Sequence, residues 1–206
     1  DEQERDRKEK MKEAMGKVGV LFGGRSAERE VSIMSGTGVL NALRSRGIDA
    51  HPFDPAERSL AELAAEKFDR VFIALHGRYG EDGSLQGALE QLGIPYTGSG
   101  VMASSIAMDK IFSKKIWLYH DLTTPAYAVL DAKTDLPKVC EQLGLPLIVK
   151  PPHEGSTIGI TKVKVASEID TAYALAAKFD EEVLAEEFIQ GRELTVAVLG
   201  RGADAY

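Results

Sequence analysis

Residues 150–159 read Lys-Pro-Pro-His-Glu-Gly-Ser-Thr-Ile-Gly and follow directly on the apolar run Leu-Pro-Leu-Ile-Val at 145–149. This pattern predicts a strand that ends in a lysine and continues into a loop with two glycines and two hydroxyl side chains. Glycine lets backbone N–H groups approach a phosphate closely, and the lysine supplies a positive charge. The segment therefore indicates a polyphosphate-binding loop. The alternative is an ordinary hairpin loop with a solvated lysine.

The composition is that of a soluble globular protein long enough for two domains. The chain has 206 residues, of which 44% are hydrophobic and 28% are charged. Its formal charge of −7 argues against nucleic acid or an anionic membrane as a partner, so a few placed lysines must meet any anionic ligand. Cys140 is the only cysteine, which excludes an intrachain disulfide. No apolar run is long enough for a membrane span or for a signal peptide, so we predict a cytoplasmic location.

The N-terminal part falls into a charged extension and an alternating β/α segment. Six acidic and six basic side chains lie between residues 1 and 17, and we assign 1–16 to a helical extension without a core of its own. Residues 17–108 are predicted to form an α/β domain around a doubly wound, mostly parallel sheet. Its predicted elements are strands at 18–22, 50–53 and 71–75 and helices at 28–45, 59–66 and 84–92.

A turn-rich junction at 93–100 separates this domain from a second unit of helices and strands, which we assign to 109–190. Residues 191–206 are assigned to the start of a third unit. The predicted elements after the junction are a helical stretch at 101–120, strands at 126–130, 145–150 and 158–163, helices at 136–143 and 167–178, and strands at 182–188 and 193–199.

Polar segments follow two predicted strands of the first sheet. Glu28 lies in the segment Gly-Gly-Arg-Ser-Ala-Glu-Arg-Glu-Val-Ser at 23–32, and His76 lies in Leu-His-Gly-Arg-Tyr-Gly-Glu-Asp-Gly at 75–83. Ligands of such sheets bind outside the carboxyl ends of the strands, which would place both side chains at one cleft. Alternatively, Glu28 complements a helix dipole and His76 is structural. A nicotinamide cofactor is disfavoured because G-x-G-x-x-G is absent, and no histidine or cysteine spacing indicates zinc.

Two further segments carry charges that suit a nucleotide. Lys110, in Met-Asp-Lys at 108–110, would explain how an acidic protein binds a phosphate chain if it met Lys150 there. Glu186 and Glu187 are adjacent in an apolar strand, so their side chains point to opposite faces and one needs a partner within the fold. The exocyclic amine of adenine is a donor that would suit such a carboxylate.

Taken together, these segments resemble the D-alanine–D-alanine ligases of the ATP-grasp superfamily. The resemblance runs in order from about residue 17 to the end of the chain. It implies an N-terminal α/β domain, a central ATP-grasp α+β subdomain and the beginning of the C-terminal ATP-grasp subdomain. The segments that carry it are 23–32, 74–83, Tyr-Thr-Gly-Ser-Gly-Val-Met-Ala-Ser at 96–104, 108–110, 149–156 and Glu-Glu-Phe-Ile at 186–189.

The resemblance implies roles for individual residues. Glu28 would hold the amino group of the first D-alanine beside His76, and Ser156 would hydrogen-bond with Glu28 and help to close the site, which makes Glu28 and Ser156 the catalytic residues. Within the ATP site, Lys110 and Lys150 would hold the phosphates, Glu186 the adenine amine and Glu193 the ribose. The implied ATP-binding residues are Lys110, Lys150, Gly155, Ser156, Thr157, Glu186, Glu187, Ile189 and Glu193.

The implied reaction joins two D-alanines through an acyl phosphate, with ATP and Mg²⁺ or Mn²⁺ as cofactors, and supplies peptidoglycan precursors. In this family the magnesium ligands and the second-alanine site lie beyond the equivalent of Tyr206. We therefore expect no metal ligand in this chain, no ligation by the chain alone, and apolar surface exposed near 194–199.

Two alternatives stay open at this stage. The second substrate could be D-lactate or D-serine, because the part of the family that reads it lies outside this chain. The chain could also bind substrate or nucleotide without catalysis. A biotin-carboxylase-type enzyme would share the phosphate lysines but gives no reason for Glu28 in its setting. The oligomeric state, including a homodimer, does not follow from the sequence.

Overall fold

The computed structural model describes residues 6, 9, 12–155, 157–200 and 202–206. Residues 12–15 are helical, in line with the predicted charged extension, whose remaining residues lie largely outside the described part. Two sheets follow, one parallel and one antiparallel. Among the described residues no helix is both long and apolar enough to cross a membrane. The domain limits at 108/109 and 190/191 stay predictions.

The first sheet has three parallel strands in the order β2-β1-β3, with β1 in the centre. Its elements are β1 (Lys17–Leu21), α1 (Arg29–Ser45), β2 (Asp49–Phe53), α2 (Leu60–Ala65), β3 (Arg70–Ile73) and α3 (Ser84–Leu92). Val20 packs with Leu40 of α1 in one apolar cluster, whereas Leu21 packs with Leu63 of α2 and Leu89 of α3 in another. Because neighbouring residues of β1 point to opposite faces, helices cover both faces, as the doubly wound prediction requires.

The second sheet is antiparallel, in the order β4-β7-β5-β6. Its strands pack with α6 and α7 around a core that includes Leu147, Val149 and Val183, all fully buried. The elements of this part are α4 (Val101–Met108), α5 (Lys110–Tyr119), β4 (Tyr127–Leu130), α6 (Leu136–Leu143), β5 (Leu147–Lys150), β6 (Thr161–Val163), α7 (Ile169–Ala176) and β7 (Val183–Glu187). Strand β5 and its neighbour β6 thus flank the loop at 150–159, as the sequence predicts.

The helical stretch predicted at 101–120 is divided into two helices at Asp109. This residue has an extended backbone (φ −84°, ψ 104°), and its side chain accepts hydrogen bonds from the N–H groups of Ile111 and Phe112, both at 2.9 Å. Asp109 therefore caps the N-terminus of α5 and cannot continue α4. The break makes Lys110 the first residue of α5.

The strand predicted at 193–199 is wrong. The segment forms no strand, and its apolar side chains are exposed, with Leu194 at 78% and Val196 at 83%. A strand needs a hydrogen-bonded neighbour, whereas β7 is already paired on both sides, with β4 and β5. The exposed apolar surface expected in this region is present.

Candidate functional site

The carboxyl ends of β1 and β3 bring the two polar segments of the first sheet together. The strands are adjacent and parallel, so the chain leaves both at the same edge. The hydroxyl of Ser32 donates to the carbonyl of Ala74 at 2.7 Å, and that of Ser26 donates to the carbonyl of His76 at 2.7 Å. The His76 Nε2 atom lies 3.3 Å from the hydroxyl of Ser35. The structure thus places the Glu28 segment and the His76 segment at one site.

Glu28 lies between glycines of two different parts of the fold. A Cβ atom added to Gly77 would lie 2.8 Å from Glu28 Oε2. A Cβ atom added to Gly155 would lie 3.0 Å from Glu28 Cδ and would overlap Oε2. The carboxylate therefore occupies a gap that exists only because both flanking residues lack a side chain. Ser156, the next residue of the loop, lies outside the described residues, so its bond with Glu28 stays a prediction.

Alanine at Gly155 should displace the Glu28 carboxylate, because the added Cβ atom would overlap Oε2. Since the carboxylate ends a flexible, half-buried side chain, the loss in free energy of unfolding should be about 1 kcal/mol or less. The control is Gly38→Ala in α1, where an added Cβ meets nothing within 4 Å. That variant should gain up to about 1 kcal/mol, because alanine has the higher helix propensity. Urea unfolding of both variants gives the comparison, and equal stabilities would contradict the close contact with Glu28.

Lys110 lies close enough to Lys150 for their two positive charges to interact. The Lys110 Nζ atom donates to the carbonyls of Pro152 at 3.2 Å and Glu154 at 2.5 Å, which ties α5 to the loop. Burial lowers the pKa of Lys110, and the positive charge of Lys150 lowers it further. An anion bound next to these two ammonium groups would relieve their mutual repulsion.

Glu186 is the carboxylate of the adjacent pair that finds its partners within the fold. It forms ion pairs with Lys150 and, at 2.9 Å, with Lys114, while Glu187 is exposed. Burial raises the pKa of Glu186, but hydrogen bonds from Lys150 and Lys114 outweigh this effect, so the pKa lies below its ordinary value. The difference in burial agrees with the prediction that the two carboxylates point to opposite faces of the sheet.

Lys114 also belongs to this group of charges, although no sequence motif indicates it. Its side chain is only 3% exposed, and its Nζ atom donates to the Thr124 hydroxyl at 2.8 Å and to the Pro125 carbonyl at 2.9 Å. The available signal was its position four residues after Lys110, since residues at this spacing share a helix face. This signal becomes informative only when Glu186 is known to need a partner.

A second polar cluster that the sequence did not reveal lies beneath the loop at 150–159. The His153 Nδ1 atom lies 3.0 Å from Asp180 Oδ1, and its Nε2 atom lies 3.1 Å from Asp109 Oδ2. The backbone N–H of His153 also donates to Asp180 at 3.1 Å. The cluster therefore anchors the first half of the loop both to the N-terminus of α5 and to the segment before β7.

The other predicted ATP-binding residues are less enclosed. Thr157 is exposed in the loop, and Ile189 is 58% exposed just after β7. Glu193 is exposed in the segment that forms no strand and, within the described part of the chain, forms no hydrogen bond or ion pair. The structure thus brings Glu28, His76 and Gly155 together and groups Lys110, Lys150 and Glu186, but it does not connect Glu193 with either set.

The described residues do not provide a metal centre. Within them, no group of three or more histidine, cysteine, aspartate or glutamate side chains could hold a metal ion. The acidic side chains nearest the lysine pair are engaged by cations, as the ion pairs of Glu186 show. The arrangement suits an anionic ligand at the lysines and an ammonium group at Glu28.

Comparison with known proteins gives consistent similarities over both parts of the fold. Residues 17–60 and 54–99 match the family model described as D-ala D-ala ligase N-terminus, and residues 117–205 match the one described as D-ala D-ala ligase C-terminus. The D-alanine–D-alanine ligase of Bordetella petrii is 71% identical over 193 residues, which cover 94% of this chain and 59% of the relative. This chain thus spans about three-fifths of the length of the curated relatives it matches.

Solved structures give the same result. The D-alanine–D-alanine ligase of Bacillus anthracis complexed with ATP is 38% identical, with a TM-score of 0.74 over 85% of this chain and 59% of that chain. A D-alanyl-alanine synthetase A from Vibrio cholerae is 25% identical, with a TM-score of 0.81 over 93% of this chain and 65% of that chain. The parallel and antiparallel sheets described above are therefore shared with these enzymes.

Proposed function

Because the chain belongs to the D-alanine–D-alanine ligase family, we propose that it carries the first-substrate and ATP sites of an enzyme that joins two D-alanines. The observation that supports this most directly is the position of Glu28, which contacts Gly155 of the loop whose base is formed by Lys110 and Lys150. An ammonium-binding carboxylate thus adjoins a pair of cations. Since this chain spans about three-fifths of the relatives' length, we assign complete ligation to a protein of their full length.

On the substrate side, Glu28 accepts hydrogen bonds from the ammonium group of the first D-alanine, and His76 lies beside it. This orientation directs the substrate carboxylate toward the lysines. Holding the substrate carboxylate next to ATP in this way would accelerate the reaction mainly by positioning the two reactants. Ser156 would assist Glu28 from the loop.

On the nucleotide side, Lys110, Lys150 and the loop backbone at Gly155 and Thr157 hold the phosphates of ATP. Glu186 accepts a hydrogen bond from the adenine amine while it remains paired with Lys114. The backbone of Glu187 and Ile189 would meet the ring edge, and Glu193 would reach the ribose from the segment after β7. Lysine ammonium groups act here as charges that neutralise the phosphate oxygens.

In the proposed reaction, a carboxylate oxygen of the first D-alanine attacks the γ-phosphorus of ATP, and ADP leaves. The amine of the second D-alanine then attacks the acyl phosphate, loses a proton and displaces phosphate, which leaves the dipeptide for peptidoglycan precursors. The contact between the loop and Glu28 would keep water from the acyl phosphate. Magnesium would supply charge neutralisation in phosphoryl transfer, and the described residues contain no group of three or more histidine, cysteine, aspartate or glutamate side chains that could hold it.

A second candidate function is binding of nucleotide and substrate without turnover, which the contact of Glu28 with the loop and the proximity of Lys110 and Lys150 equally support. Isothermal titration with ATP and D-alanine, in the presence of magnesium chloride, together with phosphate release, separates the two candidates. Affinity without D-alanine-dependent phosphate release supports the binding role. Phosphate release supports catalysis, and the same measurement with D-lactate or D-serine tests the second substrate.

The Glu28→Gln variant should bind D-alanine at least about tenfold more weakly, because it loses a charge-assisted hydrogen bond to the ammonium group. The matched control is Glu30→Gln, since Glu30 is exposed in the first turn of α1 and the net charge changes equally. Calorimetric titration with D-alanine in the presence of ATP measures both. Unchanged affinity in the Glu28 variant would remove the proposed substrate role.

A further inference from the structure

Arg78 connects the first sheet with the loop at 150–159 of the second. It lies in the segment that follows β3, two residues after His76. Its Nε atom donates to Glu154 Oε1 at 2.7 Å, and its Nη2 atom donates to Asp180 Oδ1 at 2.7 Å and to the carbonyl of Phe179 at 3.3 Å. One guanidinium group therefore joins the loop and the segment before β7 to the substrate side of the site.

The partners of Arg78 are largely withdrawn from solvent. The exposed fraction of the side chain is 13% for Glu154 and 9% for Asp180, against 39% for Arg78 itself. Ion pairs with buried carboxylates are screened less by salt than pairs on the surface, so these contacts contribute to the position of the loop. Asp180 also accepts the backbone N–H of His153, which extends the connection along the loop.

The ion pair lies one residue away from the contact that encloses Glu28. Gly77 and Gly155 flank the Glu28 carboxylate, Arg78 follows Gly77, and Glu154 precedes Gly155. The bond between Arg78 and Glu154 therefore spans the same gap between the two segments. Breaking it would free the loop to move away from Glu28.

We propose that Arg78 is a positioning residue that holds the phosphate-binding loop closed over Glu28, an inference that rests on the proposed function of that site. Its Nε and Nη2 atoms donate to protein acceptors, and through these contacts Arg78 acts on the loop. The planar guanidinium suits this role because Nε and Nη2 serve acceptors on two different segments in a fixed geometry, which the ammonium group of a lysine would reproduce only in part.

This role couples the two ligands. If only the closed loop binds well, opening it lowers the apparent affinity for every ligand that needs closure by the same factor. D-Alanine at Glu28 and ATP at Lys110 and Lys150 both contact the closed arrangement. Loss of Arg78 therefore weakens both together, whereas loss of a direct phosphate ligand would weaken ATP alone.

Hydrogen exchange on the ligand-free chain tests closure directly. In Arg78→Met, amides of the loop around His153 should exchange about tenfold faster, because two charge-assisted hydrogen bonds are lost. The control is Arg58→Met, which removes ion pairs with Glu62 and Glu66 inside the first sheet region. Wild-type exchange at the loop in the Arg78 variant, or equal acceleration in the Arg58 variant, would overturn the proposal.

Three further variants and a binding measurement complete the test. Exchange in Arg78→Met combined with Glu154→Gln should be no faster than in the Arg78 variant alone, and Arg78→Lys should fall between that variant and the wild type. Should Arg78→Met fail to fold, Arg78→Lys and Asp180→Asn carry the same comparison.

Calorimetry on the Arg78→Met variant should show that the affinities for ATP and D-alanine are reduced by one common factor. A loss of affinity confined to ATP would overturn the positioning role. A wild-type chain that binds neither ligand refutes the proposed function and leaves the exchange test valid.

Discussion

Replacing Lys150 by alanine is expected to lower the affinity of the chain for ATP by about a hundredfold or more. Lys150 interacts electrostatically with Lys110, and both are proposed to bind the phosphates. Removal of one partner of a buried, hydrogen-bonded charge pair, here the lysine that pairs with phosphate, costs about 2–5 kcal/mol. The substitution also leaves Glu186 with Lys114 as its remaining ion-pair partner, so negative charge next to the phosphates is less well neutralised. Both effects act in the same direction.

The measurement is isothermal titration with ATP at fixed ionic strength. Lys138→Ala is the control, because Lys138 is exposed on α6 and its loss changes the net charge equally. The control should bind like the wild type. An Lys150 variant that retained wild-type affinity would show that the loop at 150–159 does not hold the phosphates.

Replacing Lys114 by methionine should reduce the free energy of unfolding by about 1–3 kcal/mol, because Glu186 keeps Lys150 as an ion-pair partner but the buried acceptors of Lys114 lose their donor. Lys114 is only 3% exposed and serves Glu186, Thr124 and Pro125. Methionine fills similar space without the charge, so the loss reports on these polar partners and not on a cavity.

Lys115→Met provides the matched control for this substitution. Lys115 is the next residue of α5, is exposed and lies over the ring of Phe112, so its replacement should change stability by less than about 0.5 kcal/mol. Urea unfolding compares the free energies of unfolding of the two variants, provided that these free energies depend on urea concentration with the same slope. Equal midpoints would mean that Lys114 is not a structural partner of Glu186.

The Lys114 variant also has an expected pH dependence. The pKa of Glu186 lies below its ordinary value in the folded protein, so Glu186 contributes stability above the unfolded pKa, and this contribution disappears as the pH falls through the folded pKa. Methionine at position 114 removes one of the donors that lower this pKa. The stability difference between variant and wild type should therefore narrow as the pH falls below about 4, near the ordinary glutamate range.

Much of the fold could be predicted because its signals are local. The helix α6 has the predicted bounds, and the strands of the first sheet differ from prediction by one or two residues at their ends. Two errors have physical causes. The patterns on both sides of Asp109 are helical, so the break depends on a cap that only the backbone geometry reveals. The segment 193–199 has strand-like composition, but pairing depends on a neighbour elsewhere in the chain.

The residue order of this chain was enough to predict its α/β class and its resemblance to the ligases, because short motifs carry both signals. The roles proposed for Glu28, Lys110 and Lys150 are those that the resemblance implies. The partners of those residues followed from folding. Lys114 looks like any solvated helix lysine, and Arg78 like an ordinary loop arginine, until α5, β7 and the loop meet. Burial and ion pairing are properties of groups distant in the chain, so no local pattern contains them.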